Sequence, residues 1–463
     1  MTRTRWIALA LISLSCVLSV LWGVSMLRSS PNLMLDFKGI FYDTRCLLLH
    51  ADPYKDGEPL RVYLAEGGKL PQFSVEPREV LRLDVYPPTT SLFVAPFAML
   101  PWGLACRLWM MLTAVAFILA AFLIWDIGSN YAPVISGCLI CFAVANTQAF
   151  FAFGNPAGIV VSLCMVAVWC FLEERYVWAG VLCLAVSLAM KPHDAGFMWL
   201  YFLLAGGVYR KRALQTFLVT AVLGLAAILW VTPIAPHWMQ ELHSNLLVTS
   251  APGGTNDPGH DNSNSRGPGI IIELQSVVAV FRDDPRIYNP VSYLVCGALL
   301  LVWAARTLRA RFSQRRAWLA LATVVPLALL AAYHRPHDAK LLLLAVPACA
   351  MLWAEGGPLR WVALAVTTAG IVSTGGIPLI ILVILTKNLQ ISTAGLSGQI
   401  LMAVLTRPVP LILLAMGIFY LWIYMRRAPT TDAAAGPGEH GGNAVCAHAG
   451  LSQIHSGEGR SAA

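Results

Sequence analysis

The sequence predicts an all-α, polytopic membrane protein, and three observations carry that reading. The 463 residues are 57% hydrophobic and only 12% charged, where soluble domains carry nearer ~25% charge. Apolar runs of about 15 to 25 residues recur along the chain, each close to the ~20 residues a helix needs to cross ~30 Å of hydrocarbon. A spanning backbone must satisfy its own hydrogen bonds, and this spacing does not suit a β-barrel, so α-helices follow. The net charge of +8 does not point to nucleic acid. Arg and Lys cluster beside apolar runs, with no basic stripe interleaved with aromatics. Most of the 11 cysteines lie inside apolar segments. The Cys138-x-x-Cys141 pair has no second pair nearby, so these are packing residues rather than a metal or redox site.

The elements follow in chain order. MTRTR precedes the apolar run Trp6 to Leu27, which lacks a small-residue cleavage pattern before Arg28 and reads as an uncleaved first helix with its N-terminus in the cytoplasm. The polar interval from Pro31 to Pro88 is then an outer loop. Ser91 to Leu100 is too short to span comfortably and reads as a half-helix or interfacial segment. Spans are expected at Trp102–Trp125, Ala132–Ala152, Ala157–Leu172, Val177–Met190, Ala195–Val208 and Ala213–Val231. A second outer loop runs from Pro233 to about Pro290. Further spans are expected at Val291–Ala305, Ala317–Ala332, Ala339–Ala354, Trp361–Thr386 and Val409–Tyr424. The total is about twelve spans with both termini inside. The sidedness has an internal check: Arg3, Arg5, Arg175, residues 210–212, the 306–316 cluster, Arg360 and Arg426–Arg427 all fall on one face. The tail 428–463 is rich in Gly, Ala, Ser and His without apolar periodicity and reads as a disordered cytoplasmic segment.

Four polar clusters share the outer face: Asp36 to Asp43, Lys191-Pro192-His193-Asp194, the His237–Arg286 loop, and His334-Arg335-Pro336-His337-Asp338. The second and fourth echo each other as cation-Pro-His-Asp. Pro is tolerated in a helix's first turn, so each motif is expected to start an inward-running helix whose amides and partial positive dipole point at the outer rim. With Lys191, His193, His334, Arg335 and His337 added, that rim suits a phosphate. One such motif alone reads as an ordinary loop that caps a helix. Two on one face, opposite a carboxylate-bearing segment, favour function. Asp283-Asp284 has no spacing to a third ligand, so no metal site is expected there, and no phosphate-loop, metalloprotease or nucleophile-elbow signature occurs.

Asp36 with FYDTRCLLLHADPY, then Val85-Tyr86-Pro87-Pro88 and SLFVAPFAMLP, resembles the first outer loop of the polyprenyl-phosphate-mannose-type glycosyltransferases of family 87. Lys191-Pro192-His193 and His334–Asp338 resemble that family's later polar points. The resemblance implies a GT-C-type bundle occupying residues 1–427, with outer loops at about 28–90 and 233–290. It also implies an active site on the outer, periplasmic face of the inner (plasma) membrane. The implied partners are a polyprenyl-phosphate sugar donor, mannose being the sugar, and a lipid or glycan acceptor, with no cofactor and no nucleic acid.

The residues fit an inverting transfer on their own chemistry. One carboxylate must accept the acceptor hydroxyl's proton, a role for Asp36, while cations stabilise the departing phosphate, a role for Lys191, His334, Arg335 and His337. Asp43, Tyr86 and Asp338 are secondary candidates, and fixed cations make a metal unnecessary. A transporter, or a polymerase or ligase of lipid-linked glycans, stands as the alternative. A transporter would show paired repeats and charges near the midplane, whereas here the charges gather at one rim.

Overall fold

Among residues 2–29, 34–69, 81, 83–259, 271–376, 378, 381, 384 and 395–426, which the computed structural model describes, every regular element is a helix. Six helices are long and apolar enough to cross a membrane: Arg3–Ser25, Trp102–Ser129, Pro133–Phe153, Gly207–Val231, Pro285–Arg309 and Pro408–Met425. Shorter apolar helices at Ala157–Leu172, Val177–Met190, Leu359–Ser373 and Gly395–Thr406 accompany them. The all-α class is borne out, and by length and composition six of the twelve expected spans are found among the described residues. The Gly395–Thr406 helix was not expected. The tail from 428, and residues 260–270 of the second outer loop, lie outside the described residues.

Several expected spans are interrupted, the Pro133–Phe153 stretch among them; the 361–386 run leaves its helix at Ser373. The 132–152 run divides into Pro133–Ala145 and Gln148–Phe153. At the break, the Asn146 amide donates to Phe142 O at 2.8 Å and the Thr147 hydroxyl to Val144 O at 2.7 Å, so side chains compete for the carbonyls a helix would use. The 339–354 run begins as a 3-10 helix, Asp338–Ala345, and becomes α-helical at Val346–Glu355. Pro347 has no N–H to give Leu343 O, which accepts from Val346 N instead.

The interval read as a first outer loop contains two helices among its described residues, Leu35–Leu48 and Glu58–Ala65. The signal lay within the interval. Phe37, Ile40, Phe41 and Leu47 recur at helical spacing and are buried. Phe37 stacks on Trp109 at 4.5 Å between ring centroids and on Trp102 at 5.6 Å. The expected half-helix is found at Pro88–Ala98.

The core is built on helices that are apolar all round. Gln314–Ala331 is buried at every position from Ala317 to Leu330, and Pro408–Met425 packs on it so closely that a Cβ on Gly417 would lie 2.6 Å from Leu327. Gly207–Val231 and Pro285–Arg309 are the opposite case. Leu218, Leu225, Leu229, Leu294 and Leu301 stand exposed on them, as lipid-facing side chains do. Residues Met1–Met425 form one compact unit.

The connections sort to two ends of the bundle. Gln314 bonds Glu173 at 3.0 Å, Arg315 pairs with Glu355 at 2.7 Å, and Arg212 pairs with Glu174 at 3.6 Å. Eighteen residues along the Gln314–Ala331 helix, roughly 27 Å at ~1.5 Å each, lies the other end, where Asp36, Lys191 and His334 meet.

Candidate active site

The Asp36 carboxylate is placed by a turn that grips its helix. Met34, just before that helix, is held at φ 65°, a left-handed conformation that costs a non-glycine residue about 1–3 kcal/mol unless its surroundings enforce it. Here Met34 N donates to Ala152 O at 2.7 Å. Gly154 has φ 62°, and a Cβ there would lie 2.8 Å from Phe37 Cβ, so the turn requires glycine. Trp109 Nε1 donates to Gly154 O at 2.9 Å. The next residue, Asn155, reaches the acid. Its Nδ2 donates to Asp36 Oδ2 at 2.8 Å and to the Tyr86 hydroxyl at 3.3 Å. Its Oδ1 accepts from Ala157 N at 2.9 Å and from Lys191 Nζ at 3.5 Å.

Lys191 lies between the Val177–Met190 and Pro192–Ala205 helices, and Pro192 opens the second as expected. The Thr89 and Thr90 hydroxyls, on the helix after Tyr86, donate to Ala189 O and Met190 O, tying that segment to Lys191. The two cation-Pro-His-Asp motifs then exchange partners. Lys191 Nζ donates to Asp338 Oδ1 at 2.6 Å and pairs with Asp194 Oδ2 at 3.1 Å. His334 Nε2 lies 3.3 Å from Asp194 Oδ1, with His334 Nδ1 donating to Ala332 O at 2.8 Å. Asp338 Oδ2 accepts from Arg335 N at 2.7 Å. The second motif does not start an α-helix at its proline; the 3-10 helix begins at Asp338.

These contacts set the charges. Burial alone would discharge Lys191, but Asp194 and Asp338 outweigh it and hold the ammonium charged. Burial would likewise raise Asp194, yet Lys191 and the two histidines hold its carboxyl well below the usual range. Burial works against the His334 imidazolium as well, but the hydrogen bond to Asp194 and the charges of Asp194 and Asp338 raise its pKa. His337 is lowered by burial, with Lys191 and Arg335 adding to that against the pull of Asp338 and Asp36. Burial also draws His193 down to about 4. The site thus pulls its histidines in opposite directions, His334 toward the imidazolium and His193 and His337 toward the neutral ring.

Arg335 differs from Lys191 in its partners. Its guanidinium donates to the Tyr333 hydroxyl, to Thr255 O at 3.0 Å and to Asn256 Oδ1 at 3.4 Å. These acceptors are uncharged, while Asp36 lies within electrostatic reach.

The family model for glycosyltransferase family 87 matches residues 85–333. The chain belongs to glycosyltransferase family 87. No curated protein and no solved structure matches it. The matched span takes in Tyr86, Asn155, Lys191, His193 and Asp194 and stops one residue before His334. Asp36 stands outside it, joined to it by the Asn155 hydrogen bond. Membership makes the chain a glycosyltransferase, and its long apolar helices are those of a membrane protein.

Of the residues singled out from sequence, Asp36, Tyr86, Lys191, His193, His334, Arg335, His337 and Asp338 come together at this one end of the family 87 chain. Asp43 does not join them. Two turns along the helix, its buried carboxyl interacts with Asp84 instead. Burial pushes Asp84 up to about 7 and, with the charge of Asp84, Asp43 well above its usual value. Asn155 was not anticipated, although Gly154-Asn155-Pro156 between two apolar runs is a turn signal. Asp194 was seen only as part of its motif. His193, Asp194 and His334 offer donor atoms within 4.8 Å of one another, a grouping able to hold a metal ion, but one Asp194 oxygen already serves the Lys191 ammonium. Asp284, by contrast, caps a helix by accepting from Arg286 N at 2.9 Å.

Proposed function

We propose that this family 87 enzyme moves a sugar, mannose, from a polyprenyl-phosphate donor to a lipid or glycan acceptor, with inversion and without a metal. The site lies on the outer face of the inner membrane. In this reading the shorter apolar helices complete a GT-C-type bundle of about twelve passes, with both termini cytoplasmic.

The observation that carries the proposal is the surroundings of Asp36. Its carboxylate is oriented by Asn155 and lies at the edge of a buried group of cations. Asp36 takes the acceptor hydroxyl's proton as the oxygen attacks the anomeric carbon, and the polyprenyl phosphate leaves from the opposite face. The leaving polyprenyl phosphate, a monoester once the sugar–oxygen bond breaks, gathers negative charge, which fixed donors stabilise without reorganising. Arg335 is the leading phosphate ligand, because its present acceptors are neutral and a phosphate can replace or join them in a forked contact. Lys191 is already neutralised by two carboxylates, so its role is to hold the two motifs together and lend long-range charge. His337, beside Asp36 and Asp338, completes the phosphate side.

The test uses purified protein with a synthetic polyprenyl-phosphate mannose donor and an extract of the native membrane lipids as acceptor. Release of polyprenyl phosphate by the wild type, lost in Asp36→Asn, supports the reading. Equal release by Asp36→Asn ends it.

A further inference from the structure

We propose that Asn155 is a positioning residue that fixes the orientation of the Asp36 carboxylate and ties it to Lys191. The proposal deepens the reading in which Asp36 is the base.

The orientation of the amide is decided by its neighbours. Asn155 Oδ1 faces two donors, the Ala157 N–H at 2.9 Å and Lys191 Nζ at 3.5 Å. A flipped amide would point an NH2 at both of them, so the oxygen must stay there. The NH2 is then committed to Asp36 Oδ2 at 2.8 Å and Tyr86 Oη at 3.3 Å. Removing that donor would cost an ionised carboxylate, which is acceptor-only, more than a protonated acid. The mount is rigid. Asn155 is buried, follows the tightly packed Gly154 and precedes Pro156. It also closes a local turn into the Ala157–Leu172 helix through Ala157 N. The chain thus carries the Lys191 charge to Asp36 through one side chain.

A purely structural Asn155 would serve only that local turn, and the two roles separate under substitution. Asn155→Asp keeps an oxygen for Ala157 N–H but turns a carboxylate toward Asp36. Two facing carboxylates share a proton, so one titrates higher. Asn155→Ala loses both contacts.

Two readouts on full-length protein in lipid nanodiscs decide the question. One is the pH profile of polyprenyl-phosphate release from the mannose donor. The other is infrared titration of the carboxyl stretch, with the Asp36 band assigned by its absence in Asp36→Asn. Positioning predicts that the acid limb and the Asp36 band move to higher pH by about one unit or more in Asn155→Asp. In Asn155→Ala they move in the same direction, with turnover down roughly tenfold or more, while the thermal transition of Asn155→Asp stays near the wild type. A wild-type band position in both variants overturns the inference, whatever their turnover. Where Asn155→Asp does not fold, the Asn155→Ala band alone decides, shifted in support or unshifted against. If Asp36→Asn remains active, the base assignment falls, while the infrared shift still reports separately on Asn155.

Discussion

Lys191-Pro192-His193-Asp194 and Arg335-Pro336-His337-Asp338 are nearly the same tetrapeptide, yet the fold uses them differently. In the first, the cation turns inward and bridges both aspartates, and the proline opens an α-helix. In the second, the cation turns away to Tyr333 and the Thr255–Asn256 backbone and side chain, and a 3-10 helix begins after the proline. The aspartates cross over: Asp338 serves Lys191, and Asp194 serves His334. A buried cation shared by two carboxylates is a framework element, whereas one bonded to neutral groups keeps its charge for a ligand. Alike in sequence, the motifs divide into a scaffold and a candidate binding group.

The largest effect should come from the carboxylate both motifs surround. Asp36→Asn is expected to lower turnover by roughly 10²–10⁴-fold with donor binding little changed. Asp43→Asn should leave turnover near the wild type, since Asp43 faces Asp84. Steady-state release of polyprenyl phosphate from both variants checks this, and equal losses would erase the distinction.

The two cations should then fail in different ways. Lys191→Ala leaves Asp194 and Asp338 buried without their common partner, a loss of about 3–5 kcal/mol visible as a large drop in thermal transition before any kinetics. Arg335→Ala should keep the fold but weaken donor binding by roughly 10–100-fold, in line with ~1.5–3 kcal/mol for hydrogen bonds to a charged group. Melting curves beside donor titrations separate the outcomes. A stable Lys191→Ala protein with impaired donor binding would reverse the assignment.

A smaller effect concerns pH. His334 has a raised pKa in the folded chain, so the stability from its pairing with Asp194 is fully present below the unfolded histidine value near ~6.5. It is lost as pH rises through the folded value. The thermal transition should fall across that window in the wild type and flatten in His334→Gln, whereas His193→Gln should keep the slope. Asp84 adds a second slope at lower pH. Its folded value of about 7 means the folded chain holds a proton the unfolded chain releases near ~3.9, so stability declines as pH rises between the two. Asp84→Asn should remove that part alone.

The mildest test leaves the chemistry intact. In a cysteine-depleted background, Lys55→Cys should react with an impermeant thiol reagent from outside and Lys211→Cys only from the cytoplasmic side. Both positions are exposed, one beside the Asp36 helix and the other at the opposite end of the bundle. Labelling from the reverse sides would invert the proposed orientation for both motifs at once.

Composition and apolar run length were enough to determine the all-α membrane class and most helix positions, because a lipid-spanning helix needs little beyond length and low charge. Asp36 and the paired motifs were also legible, since charged residues stand out in so apolar a chain. The tertiary structure alone decided the rest. Within the Pro31–Pro88 interval the Leu35–Leu48 helix is fixed where Phe37 and its neighbours meet Trp102 and Trp109. Asn155 entered the site because the Gly154 turn meets the Asp36 helix across 119 residues of sequence. The Lys191–Asp338 pair spans 147 residues, and no local pattern says that the lysine will reach this aspartate as well as Asp194 beside it. Hydrophobicity acts residue by residue and can be read along a chain. Hydrogen bonds and ion pairs depend on which atoms packing brings within about 3 Å, and that is settled only when the helices have met.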